Sequence, residues 1–183
     1  ALVLASRNGH AAVVRVLLAC AEVEVNQAVR GDYTALYIAA EGGKEAVVEL
    51  LLAHAAVDAN QAEEDGCTPL WIAAQNGHEA VVRLLLAHAA VDANQADQTG
   101  RTPLWMAAMQ NQEAIVRLLL AHPAVDAERA YKDGTTPLLE ACENRSTAAA
   151  LTLLDAKADP NARASNGDSP LVVARRGDNA QLL

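Results

Sequence analysis

Apolar residues fall along this chain in two alternating rhythms. In residues 78–88, HEAVVRLLLAH, the side chains Val81, Val82, Leu85 and Leu86 recur at helical spacing and form one stripe. Glu79 stands near the positive end of that helix's dipole. Just upstream, Thr68-Pro69 heads a shorter run, LWIAAQN. Threonine is a good N-cap, and proline suits the first helical position, where a missing N–H has no intrahelical partner to lose. Gly77 ends the run by accepting a left-handed conformation. After the second helix, AVDANQADQTGR is rich in turn signals and reads as an extended link. The pattern predicts helices over 68–76 and 78–88, then a finger over 91–101.

The pattern repeats. Thr34, Thr68, Thr102 and Thr136 each head a copy at a constant step of 34, and Ser169 follows Thr136 by 33. One step back from Leu36 lands on Leu2, so the chain opens inside another copy. Residues 68–88 and 102–122 agree at fifteen of twenty-one positions, too many for helical patterning alone. Six units result, at about 1–25, 26–59, 60–93, 94–127, 128–160 and 161–183, with the first and last incomplete. Neither helix can bury its stripe alone, so neighbouring units must stack. Ala73–Ala74 and Ala107–Ala108 are small enough to let stacked helices approach closely.

TPLWIAAQNGHEAVVRLLLAH resembles the ankyrin repeat, whose hallmark is T-P-L-H-x-A-A-x-x-G-H, and the likeness covers essentially the whole chain. It implies an all-α solenoid of antiparallel helix pairs with β-hairpin or extended finger loops. Three departures stand out. Tyr37, Trp71, Trp105 and Leu139 occupy the usual histidine place. HAAVDAN and HPAVDAE carry one extra residue before the finger, which gives the longer step. In AVRGDYTAL the turn glycine comes one residue early and Ala35 replaces the proline, so this finger is expected to differ in shape.

The resemblance also implies a non-enzymatic interaction scaffold that binds a protein on its concave side, through finger tips and first-helix faces. The tips would contribute Arg30 and Tyr33, then Glu64, Asp65 and Cys67, then Gln98, Thr99 and Arg101, then Lys132, Asp133 and Thr135. The helix faces would add Glu41, then Gln75 and Asn76, then Met109 and Gln110, then Glu143 and Asn144. Trp71 and Trp105 are the largest available anchors, and tryptophan is enriched at binding hot spots. Ile38, Ile72 and Met106 form an apolar row suited to packing, interrupted by Glu140.

Composition narrows the partner. The chain has 183 residues, half of them apolar, with 3% aromatic residues and no Phe, which suits many thin, similar layers. Its net charge of −9 disfavours nucleic acid, whose phosphates call for a basic stripe. A protein partner of unknown identity, polar with some basic character, fits better. Apolar runs such as LLLA are far too short to span a bilayer, so membrane insertion is not expected. Cys20, Cys67 and Cys142 lie far apart and are odd in number, which favours a reducing, intracellular, cytoplasmic setting over a disulfide framework.

Catalytic and cofactor signatures are not apparent. His54, His88 and His122 end successive second helices, where a cationic ring suits the dipole. Packed helices stand ~8–10 Å apart, whereas zinc–nitrogen bonds are ~2.0–2.1 Å, so one histidine per layer does not make a metal site. GHEAVV lacks the second histidine of a zinc protease, and GGKEA lacks the hydroxyl and the earlier glycine of a phosphate loop. Cys142 takes the place of a buried alanine and reads as a packed thiol. Arg30-Gly31-Asp32 and Arg176-Gly177-Asp178 match an integrin-binding tripeptide, but three residues recur easily by chance and they read as turn chemistry from Gly and Asp. Arg15, Glu49, Arg83 and Arg117 share one place on successive second helices and read as a solvated outer face.

Two expectations concern layers rather than sites. Leu2, Leu4, Leu182 and Leu183 lie in apolar stripes at the ends, where a solenoid normally has polar caps, so the ends either fray or are covered by further chain or a neighbouring copy, and end-to-end self-association is expected at high concentration. The abrupt ends, ALVLAS and NAQLL, also suit a regulatory segment cut from a larger enzyme or channel polypeptide. The fifth unit is expected to be the weak layer. There Ile115 and Val116 become Ala149 and Ala150, Arg117 becomes Leu151, Leu118 becomes Thr152, and Asn111 becomes Arg145.

Overall fold

The computed structural model describes residues 1–176. Six short helices are the first members of successive pairs: α1 (Leu2–Arg7), α3 (Ala35–Glu41), α5 (Pro69–Gln75), α7 (Pro103–Met109), α9 (Pro137–Glu143) and α11 (Pro170–Arg176). Five are second members: α2 (Ala11–Leu18), α4 (Glu45–Leu52), α6 (Glu79–Ala87), α8 (Glu113–Ala121) and α10 (Thr147–Asp155). Among the described residues, first helices pack on first helices and second on second, giving two parallel rows. Leu182, Leu183 and the Gly177-Asp178 part of the second tripeptide lie outside the described residues.

Local chemistry sets each boundary. The hydroxyls of Thr34, Thr68, Thr102 and Thr136 accept the amides three residues on, at 3.0–3.2 Å, so each threonine is a cap and the helix starts after it. The first helix of each pair then closes in a Schellman turn: Lys44, His78, Gln112 and Ser146 donate to Ala39, Ala73, Ala107 and Ala141. The left-handed residue of that turn is Gly43 or Gly77, but Asn111 (φ 55) and Arg145 (φ 58) take the same conformation without glycine's freedom. His88 and His122 have left the helix and serve as C-caps.

Between the rows lies a core of thin layers. Ala39–Ala40, Ala73–Ala74 and Ala107–Ala108 are fully buried, as are Leu51, Leu85, Leu119 and Leu153 on the second helices. The row Ile38, Ile72, Met106 is buried too, so packing is its job. In the fifth layer Ala149 and Ala150 are fully buried, and Thr152 is buried with its hydroxyl donating back to Ala148 O at 3.0 Å. Its helix, α10, contacts α7 as well as α8 and α9.

Two hydrogen-bonded ladders tie the layers. Asn26 donates to Ala56 O (2.7 Å) and accepts from Asp58 N (2.8 Å). Asn60 does the same with Ala90 and Asp92, and Asn94 with Ala124 and Asp126. The next rung carries Glu128, which accepts from Asp159 N (2.9 Å) and has no proton to donate when ionised. The fingers form the second ladder, each closed by a backbone bond from the amide of its first residue to the carbonyl of its last: Val29 to Tyr33, Glu63 to Cys67, Asp97 to Arg101, Tyr131 to Thr135 and Ala164 to Asp168. Later fingers turn on one left-handed glycine, whereas the second unit uses two left-handed residues, Gly31 (φ 88) and Asp32 (φ 58). Its shape is therefore distinct, and the isolated bridge Val29–Tyr33 belongs to it.

Candidate partner-binding surface

The fingers fold over the first helices and hydrogen-bond to one another in series. Gln98 N donates to Asp65 O (2.9 Å), and the Gln98 side chain reaches Glu64 O. Lys132 Nζ reaches Gln98 O, and Ser165 donates to Asp133 O through both amide (2.7 Å) and hydroxyl (2.6 Å). Glu64, Asp65, Gln98, Lys132 and Asp133 thus stand exposed in one row, spaced by the layers beneath. On the helix side, Asn76 and His78 Nε2 both donate to Glu41 O, at 3.1 and 2.8 Å, so Glu41 and Asn76 also meet across a layer. Gln110, Glu143, Asn144 and Arg30 are exposed, while Tyr33, Gln75, Thr99, Arg101 and Met109 are half-buried.

Four of the expected contact residues are placed differently. Trp71 and Trp105 are buried, with exposures of 5% and 6%, and do not present indole rings to solvent. Trp71 Nε1 donates to Arg101 O (2.9 Å), so this side chain acts as a tie between layers. Arg101 lies beside both rings, 6.0 Å from Trp71 and 5.9 Å from Trp105, and Trp105 packs on Tyr131 at 5.9 Å. Cys67 and Thr135 close their fingers and are buried by the next layer.

Electrostatics give this face its sign. Buried Asp97 accepts from Thr99, Gly100 and the Arg101 backbone and pairs with Arg101 Nε at 2.8 Å. Burial opposes its charge, but these bonds prevail and hold the carboxyl below its ordinary value. Glu63 accepts from the Asp65 and Cys67 amides at 3.0 Å and plays a similar turn-locking part. Tyr33 and Tyr37 stack at 5.3 Å, and the Tyr33 phenol is pushed up by partial burial and by Glu63, Glu41, Asp65 and Glu64. Further along, burial raises Glu140, whose Oε1 accepts from Asn144 at 2.6 Å, and Glu143 is raised by burial, Asp168 and Asp133. Acids therefore outweigh bases across fingers and first helices.

Burial pushes the Cys67 thiol up to about 12, with Glu63 adding to the shift, and the Cys142 thiol up to about 11. Thiols held protonated in this way are packing groups rather than nucleophiles. The outer face is different again: Arg83 and Arg117 are exposed and pair with Glu79 and Glu113 one turn away, at 2.7 and 2.8 Å.

A family model for ankyrin repeats matches residues 2–97 and 87–164. The chain belongs to the ankyrin-repeat family. Ankyrin repeats are generally protein–protein interaction modules. Among solved structures, an ankyrin repeat domain from Acinetobacter baumannii AYE is 25% identical with a TM-score of 0.90, over 99% of this chain and 93% of that one. The ankyrin repeat domain of Bcl-3, a member of the IκB protein family, is 30% identical with a TM-score of 0.87, over 94% of this chain and 76% of that one. Another ankyrin repeat protein shares the fold at 22% identity and a TM-score of 0.93, over 100% and 94%. Among curated proteins none matches.

Sequence reasoning missed Glu63 and Asp97, which shape the fingers from within, Ser165, which ties two fingers together, and the asparagine ladder. A signal was there: Asn26, Asn60 and Asn94 repeat at the step of 34, but asparagine in a link reads first as turn chemistry. Among the described residues no helix is long and apolar enough to cross a membrane.

Proposed function

We propose that this ankyrin stack is a non-enzymatic scaffold that binds a protein partner along its finger and first-helix surface, inside the cell. The contact set comprises Arg30, Tyr33, Glu41, Glu64, Asp65, Gln75, Asn76, Gln98, Thr99, Arg101, Met109, Gln110, Lys132, Asp133, Glu143 and Asn144. The buried Trp71, Trp105, Cys67 and Thr135 support these side chains from below. The observation that carries the reading is the row of finger tips tied to one another by hydrogen bonds. A surface fixed before binding loses little conformational freedom on association. Its excess of carboxylates over Arg30, Arg101 and Lys132 selects a partner segment with basic character.

An affinity capture from source cells tests the reading. The protein held by the unaltered chain should be lost when Glu64 and Asp65 are both changed to lysine, and weakened by alanine at Arg101, Met109 and Gln110. Capture that survives those changes but is lost with Arg83→Glu and Arg117→Glu would move the binding surface to the outer helices.

A further inference from the structure

Glu140 interrupts an apolar row. The same position holds Ile38, Ile72 and Met106 in earlier layers, all buried, and Glu140 is itself only 9% exposed. A carboxylate withdrawn from water costs free energy unless its oxygens are bonded. Here Oε1 accepts from Asn144 at 2.6 Å, whereas Oε2 accepts from no described residue. Oε2 is nevertheless not sealed in: the buried side-chain atoms left without partners among the described residues are on Ser6, His88, Trp105 and His122.

Two further carboxylates face the same place. Burial raises the Glu140 carboxyl, and Glu143, one turn on along α9, and Asp133, on the finger, raise it further. Both of these are exposed on the finger and first-helix surface, so Glu140 Oε2 opens toward that surface. Among the described residues none of the three is in an ion pair. Arg101 acts on Glu140 only from a distance, and its Nε is held by Asp97 at 2.8 Å. The layer is an internal one, with α9 packed between α7 and α11.

We propose, resting on the reading of this surface as the partner-binding face, that Glu140 with Glu143 and Asp133 receives the guanidinium of an arginine in the partner segment. Arginine fits better than lysine for two reasons. Its donors fan out in one plane and serve several oxygens at once, and a guanidinium is more weakly hydrated than an ammonium. Met109, half-buried at the place of Glu143 one layer earlier, offers an apolar bed for the aliphatic stem. The arginine supplies Glu140 Oε2 with the donor that the fold withholds. The cost of burying this carboxylate is therefore offset only in the complex, which makes Glu140 the residue that selects the segment.

The probe is the peptide acetyl-Gly-Ser-Arg-Ser-Gly-amide, followed through the amide chemical shifts of the isotopically labelled chain. It should bind with a dissociation constant on the order of 1 mM and shift the amides of residues 133 and 140–144. Glu140→Gln keeps the shape and the Asn144 bond, and should weaken binding at least about tenfold with no loss of stability. Citrulline in place of the arginine, similar in shape but uncharged, should bind as weakly. Equal binding to the Glu140→Gln chain, shifts confined to the Glu64–Asp65 finger, or no binding at about 10 mM peptide would each overturn the proposal. Partner capture separates this from the wider reading. Capture lost with Glu64→Lys and Asp65→Lys but indifferent to Glu140→Gln would overturn this proposal alone, and capture indifferent to both would overturn the wider reading with it.

Discussion

Removing one rung of the asparagine ladder should cost more than an exposed link residue ordinarily does. Asn94→Ala deletes the donor to Ala124 O and strips the acceptor from Asp126 N, held at 2.8 Å. A net ~0.5–1.5 kcal/mol per hydrogen bond gives about 1–3 kcal/mol for the rung, with the lower half expected because water can reach the site. The ladder carries its own control: at the next rung Glu128 keeps only the acceptor half of the pattern. Glu128→Asn should therefore gain about 0.5–1.5 kcal/mol, the value of one restored donor. Urea unfolding reads both changes as shifts of midpoint at constant slope. Amide exchange localises them, because the Asp126 amide should exchange about tenfold faster for each ~1.4 kcal/mol lost. An Asn94→Ala chain as stable as its parent, with the Asp126 amide unchanged, would refute the idea that these rungs hold the layers together.

Three further outcomes are expected. The fifth layer should show faster hydrogen exchange over residues 138–158 than the equivalent 70–90, because Ala149 and Ala150 bury less than Ile115 and Val116; equal protection would show that the approach of α10 to α7 compensates fully. Glu140 and Glu143 have raised carboxyl pKa values, so their favourable contribution is present below the ordinary carboxylate value and lost as pH rises through the raised one. Glu140→Gln should accordingly raise Tm at neutral pH and make no difference at acid pH, and a lower Tm at neutrality would mean that the charge near Arg101 outweighs its burial. A thiol reagent at mildly alkaline pH should modify exposed Cys20 rapidly and the buried, proton-retaining Cys67 and Cys142 only as the layers open; three equally fast thiols would contradict their burial.

Much of this fold is legible in the sequence because each unit is locally determined. Thr68, Pro69 and Gly77 fix one helix with short-range chemistry, and the constant step of 34 copies that result. The early glycine of AVRGDYTAL likewise foretells the altered turn at Gly31 and Asp32. What the sequence leaves hidden depends on relations between layers. Trp71 looks like an anchor until the carbonyl of Arg101, thirty residues on, captures its indole. Asn60 looks like a turn former until its amide is seen spanning Ala90 and Asp92. Glu63 and Asp97 look like finger-tip charges until their burial under the turn is known. The contact set is hidden for a different reason: a solvated carboxylate and one that meets a partner occupy the same register with the same side chain.

The claim that the finger and first-helix surface binds the partner is tested most directly by an exchange footprint of the captured complex. Protection is expected at the finger amides of residues 63–67, 97–101 and 131–135 and at the C-terminal turns of α3, α5, α7 and α9. The exposed flanks of α4, α6 and α8 should stay as they are in the free chain. A footprint confined to those second helices, around Glu49, Arg83 and Arg117, would contradict the account.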